Sequence, residues 1–103
     1  MSLTPQQMQD TIQEFQENLA LSGLSVEEIA RDLHTTDEKI QRILHLQQRA
    51  LEDPWIVKEY LTEKIEAVGK MPVPFTALAG DYHQYWFLNA GKIDKRKLSR
   101  GNS

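Results

Sequence analysis

The stretch from Leu24 to Leu46, LSVEEIARDLHTTDEKIQRILHL, leaves a chain few ways to fold. Ser25 followed three residues later by Glu28 is a capping box, and Leu24 and Ile29 stand at the positions of a hydrophobic staple. Ala30 falls mid-helix, where a second helix crossing closely leaves no room for a larger side chain. The helix ends at Leu33, His34-Thr35-Thr36 makes a tight turn, and Ile40, Ile43 and Leu44 form the apolar stripe of the next helix. This spacing fixes the angle between two short helices and leaves one face of the second free to enter a groove. That is a docking device, not a catalytic one.

The flanks read as further short helices. Thr4 is an N-cap, with Pro5 at the first helical position and Gln7 closing a capping box. Met8, Ile12, Phe15 and Leu19 are the expected core stripe of that helix, and Gly23 its left-handed terminator. The third helix is expected to reach Gln47 or Ala50. Asp53-Pro54 reads as another cap and first-turn pair, opening a fourth helix from Trp55 to Val68. Its buried stripe is Val57, Leu61, Ile65 and Val68, with Tyr60 beside it, and Gly69 ends it. Met71-Pro72-Val73-Pro74 cannot be helical and reads as an extended connector. Beyond it, Tyr82, Tyr85 and Trp86 favour one or two short helices, with Asp81 as a cap and Asn89-Ala90-Gly91 as a stop; a hairpin at Gly80-Asp81 fits less well, because alternation is poor. The fold class is therefore all-α: a compact bundle of about five short helices over residues 1–91, followed by a basic, flexible tail over 92–103.

Charge is unevenly spread. The net charge is −3, but Lys92, Lys95, Arg96, Lys97 and Arg100 gather at the C-terminal end with only Asp94 among them. The first 90 residues hold 7 basic and 14 acidic side chains. An acidic body with a basic edge suits contact with phosphate. It equally suits a soluble protein with a frayed end. With no cysteine, disulfides and thiolate metal sites are ruled out. No apolar run approaches a membrane span and MSLTPQQMQD does not read as a signal peptide, so the expected location is the cytoplasm.

Ile29, Ala30, Leu33, Ile40 and Ile43 together resemble the lambda-repressor-like group of helix-turn-helix domains, in which the second and third of five helices form the motif. The sequence departs from that group at His34, where glycine is usual; histidine is among the few other residues enriched in the left-handed region. A second resemblance rests on DPWIVKEYLTEKIEAVGKMPVPFTAL and DYHQYWFLN, which look like a family of small bacterial proteins, domain of unknown function 2316. It implies a bacterial origin and a helical fold, and no activity.

Carried over by position, the groove-facing surface is Thr36, Asp37, Glu38, Gln41, Arg42 and His45. Gln41 can pair with adenine, Arg42 with guanine, and Thr36 can meet a thymine methyl or a phosphate. Arg31, Lys39, Arg49, Lys95, Arg96, Lys97 and Arg100 are candidate phosphate contacts. Asp37 and Glu38 oppose this reading, because they stabilise the helix start through its dipole while repelling a phosphate backbone. Trp55, Tyr60, Phe75, Trp86 and Phe87 read first as core; a second reading puts Tyr82, Tyr85 and Trp86 on an exposed patch that pairs two subunits, and a third is a small-ligand pocket, for which nothing polar converges. His34, His45 and His83 lack metal-site spacing, and Asp81-Tyr82-His83 reads as a cap followed by surface residues. No catalytic signature stands out, so no enzymatic activity, cofactor or metal is expected. The leading expectation is a homodimeric DNA-binding transcriptional regulator. The other is a protein-interaction module that keeps the fold without binding double-stranded DNA.

Overall fold

Hydrogen-bonding groups at the helix ends set the boundaries of this chain. In the computed structural model, which describes residues 3–85 and 87–99, α1 runs Pro5–Ser22, α2 Val26–Asp32, α3 Asp37–Leu44, α4 Glu52–Ala67 and α5 Ala90–Asp94. A single 3₁₀ turn, Tyr82–Gln84, precedes α5. No strand occurs among the described residues. Both expected capping boxes form: Thr4 with Gln7 at the start of α1, and Ser25 with Glu28 at the start of α2. Thr36 caps α3, its hydroxyl accepting from the Lys39 amide at 3.2 Å.

Four helices end alike. The residue after the C-cap turns left-handed, and the next amide reaches back to the carbonyl five residues earlier: Thr35 to Ala30, Gln47 to Arg42, Lys70 to Ile65 and Lys97 to Lys92. These are Schellman closures. Glycine supplies the left-handed residue only after α4, at Gly69; elsewhere it is His34, Leu46 and Arg96, with φ of 59°, 56° and 55°. His34 thus adopts the conformation its position required. The closure at Leu46 ends α3 at Leu44, short of the expected Gln47 or Ala50.

α4 is the spine of the core, packing against α1, α3 and α5, while α2 packs on α3. Ile56, Val57, Leu61 and Ile65 of α4 meet Phe15, Ile29, Ile40, Ile43, Leu44 and Ile93 in one fully buried cluster. Two stripe assignments differ from the sequence reading. Val68 follows the last turn of α4 and is 61% exposed. On α1 only Phe15 of the four expected positions is fully buried; Met8 is exposed, and Ile12 and Leu19 are half-buried. The face turned inward includes Thr11, Glu14 and Asn18 instead. These polar groups hold the connector after α4: the Asn18 carboxamide accepts from Val73 N at 2.8 Å and donates to its carbonyl at 3.0 Å, and Glu14 accepts from the amide and hydroxyl of Thr76. An extended proline-containing segment has no ladder of its own, so its backbone is satisfied by side chains.

The C-terminal segment is also built into the fold. Asn89 starts α5 rather than stopping a helix, its side chain accepting from the Lys92 amide. The expected boundary at 91/92 therefore falls inside α5, whose Ile93 is fully buried. No helix among the described residues is long and apolar enough to cross a membrane.

Candidate nucleic-acid interface

The exposed face of α3 and the segment after α5 carry the polar side chains singled out in the sequence. Thr36, Asp37, Glu38, Gln41 and His45 are all exposed. His45 closes the helix, its ring Nδ1 2.9 Å from the Gln41 carbonyl. A carbonyl only accepts, so it is Nδ1–H that donates in this contact. Arg42 is half-buried, its Nε shielded from solvent.

Lys39 departs furthest from its expected role. Its side chain is 2% exposed, and its ammonium lies 3.2 Å from Asp53 Oδ2 and 2.7 Å from Ser99 Oγ. Asp53, 1% exposed, is not the cap of α4, which begins at Glu52 with no side-chain cap. Its carboxylate instead accepts from Ser99, at 3.0 Å from the amide and 2.5 Å from the hydroxyl. Burying a carboxylate without partners is costly, and here an ammonium and two Ser99 donors meet it. One buried node thus joins α3, α4 and the segment after α5. Nothing in the sequence marks it, because Asp53-Pro54 satisfies the helix-start pattern equally well.

That node fixes where the basic segment lies. Lys95, Arg96 and Lys97 share a recess with Leu33, His34 and Thr35, the turn that leads into α3. Lys95 and Lys97 are exposed there. Arg96 is half-buried and committed, donating to the Glu63 carboxylate on α4 and to the Ile93 carbonyl at 2.7 Å. Arg31 is exposed on α2, and Arg49 is exposed beyond α3 in the linker to α4. Arg100 and Trp86 lie outside the described residues.

The profile of a family described as an uncharacterised protein conserved in bacteria, DUF2316, matches residues 1–89. The chain belongs to this family. No curated protein and no solved structure matches it. The DUF2316 match takes in α1 to α4 and the 3₁₀ turn and stops at Asn89, so α5 and the basic segment lie beyond it.

The remaining polar cluster of this DUF2316 protein was not legible as a unit. His83 Nδ1 lies 2.8 Å from Asp81, and its Nε2 2.9 Å from Asp94 on α5. The Tyr82 ring stacks on His83 and its hydroxyl donates to the same Asp94. Hydrogen bonds to Asp94 and then Asp81 raise the imidazole pKa above its usual value. Asp94 is lowered, first by the Tyr82 hydroxyl and then by His83. Asp81 is lowered by the His83 amide and then its ring. The cap and surface residues expected here therefore also clasp α5. Among the described residues no group of three or more His, Asp or Glu side chains is placed to hold a metal ion.

The aromatic residues divide. Trp55, Tyr60 and Phe75 are buried, Phe75 packing edge-on against Phe15 at 4.9 Å. Phe87, Tyr82 and Tyr85 are half-buried, the two tyrosines tilted against Trp55. The Tyr60 hydroxyl donates to Asp32 at 2.5 Å, tying α4 to the end of α2.

Proposed function

We propose that this DUF2316 protein is a bacterial DNA-binding regulator of the lambda-repressor-like helix-turn-helix type, with α2 and α3 as the motif. The observation that carries the reading is the recess shared by the α2–α3 turn and Lys95, Arg96 and Lys97, which keeps two exposed ammonium groups beside the approach to α3. In this reading Gln41, His45 and Thr36 face base edges, Lys95 and Lys97 neutralise phosphates, and the buried Lys39–Asp53–Ser99 node holds the basic segment in register with α3. Phosphate contacts position a protein on the duplex, and base contacts specify the site. One short helix reads few base pairs, so the active form is a homodimer on two half-sites. Such a role is non-enzymatic and cytoplasmic.

Selection of bound sequences from a random duplex pool tests this reading. A consensus with two related half-sites is expected, and Gln41→Ala should weaken binding to it by about 1–3 kcal/mol while relaxing one position. A pool that stays unenriched removes the base-reading role. The exposed pair Asp37 and Glu38 favours a second reading, in which the same face docks a basic protein partner and duplex is not bound.

A further inference from the structure

The start of α1, the Leu46–Leu51 linker, the first turn of α4 and residues 77–78, 85 and 87–88 line a groove of about 430 Å³. Small-molecule sites span about 300–1,000 Å³. Trp55, Tyr85 and Phe87 line it, Tyr85 lying 5.7 Å from Trp55 and stacked 5.6 Å from Phe87. The Tyr85 hydroxyl is already spent, donating to the Ala79 carbonyl at 2.7 Å. Gly80 permits this placement, since a Cβ there would meet that hydroxyl at 2.8 Å. At the rim Met8 and Leu51 remain 38% and 45% exposed.

Charge decides what would fit. The chain has 15 carboxylates, yet no Asp or Glu is among the described lining residues. Among the described lining residues Arg49 alone is charged, and it is exposed and in no ion pair among the described residues. Each of the two lining glutamines gives one amide atom to nearby backbone: Gln7 Oε1 accepts from the Thr4 amide, and Gln48 Nε2 donates to the Ala50 carbonyl, while Gln48 Oε1 is buried and meets no donor among the described residues. An occupant therefore meets aromatic rings and, among the described lining residues, a single cation. We propose that this groove binds a small aromatic monocarboxylate, its ring laid against Trp55, Tyr85 and Phe87 and its carboxylate on Arg49. Planar rings gain from offset or edge contacts with such walls, and a guanidinium matches a carboxylate with two parallel donors.

Calorimetric titration of the full chain with 2-naphthoate, and with the neutral 2-naphthalenemethanol, tests the site. One naphthoate per chain is expected to bind saturably, with the alcohol roughly fivefold weaker, as suits one exposed charge pair. Arg49→Gln should bring naphthoate down to the level of the alcohol. Ala77→Phe should fill the groove and abolish both, with thermal melting showing that the variant still folds. Met8→Glu, on an exposed turn of α1, should weaken naphthoate more than the alcohol, and serves if Ala77→Phe does not fold. Absence of saturable binding, indifference to these substitutions, or equal affinity for acid and alcohol overturns the proposal. So does a two-chain mass in light scattering that Met8→Glu abolishes while naphthoate goes unbound, which would give the groove to a second copy.

Discussion

Replacing Asp53 with alanine removes a buried counter-charge from Lys39 and both acceptors of Ser99. Truncating one partner of a buried ion pair costs about 3–5 kcal/mol, far more than the pair adds relative to apolar residues of the same shape. Urea denaturation of Asp53→Ala should show a loss of that size. The double change Lys39→Met with Asp53→Leu should recover much of it, because neither charge is then left in the core. If the losses simply add, the pair is not coupled as its 3.2 Å separation requires. His34 offers the opposite experiment. Its φ of 59° is one that a Cβ disfavours, so His34→Gly relieves strain at the price of a more flexible unfolded chain. The net gain should reach up to about 1 kcal/mol, raising the melting temperature by a few degrees.

Between elements, α5 is held on the surface by the His83 clasp and from below by Ile93. The imidazole is raised by Asp94 and Asp81, so its contribution to stability is complete below the unfolded value of about 6.5 and is lost as pH rises through the raised pKa. Asp81 and Asp94 are lowered, so theirs is complete above the unfolded carboxylate value of about 3.9 and is lost as pH falls through the lowered ones. The Tyr82 hydroxyl, raised chiefly by burial and then by Asp94, stays protonated throughout this window. Exchange protection of the α5 amides, corrected for intrinsic rates, should therefore be greatest in mildly acidic solution. His83→Asn should remove the fall on the alkaline side. A flat profile in the native chain would show that α5 does not depend on the clasp.

This clasp also marks how far local pattern carries. Capping boxes at Thr4 and Ser25, the left-handed His34 and the stripe of α4 up to Ile65 were readable because each depends on residues within one or two turns. Asp53 was misread because cap and anchor look identical until Ser99, 46 positions away, is known to be beside it. Glu14 and Asn18 carry no local mark of burial for the same reason, their partners lying 62 and 55 positions on. Leu46 and Arg96 end helices in a conformation their side chains do not favour; Leu46 packs against the core, and Arg96 donates to Glu63 and to the Ile93 carbonyl.

For the molecule as a whole, the segment that reads as a loose basic tail is docked up to Ser99, and the candidate interface depends on that docking. Lys39 and Arg96 leave the set of phosphate contacts, one buried and the other held by Glu63, while Lys95 and Lys97 stay exposed beside the α2–α3 turn. An acidic body bearing this small basic edge should bind duplex only where that edge meets it. Fluorescence-anisotropy titration of random duplex DNA at several salt concentrations measures this directly. Binding should weaken steeply with salt, and Lys95→Ser with Lys97→Ser should flatten the logarithmic salt slope by about 1 per lysine removed. No binding at low salt, or a slope that the paired substitution leaves unchanged, would contradict a phosphate-contacting role for this edge.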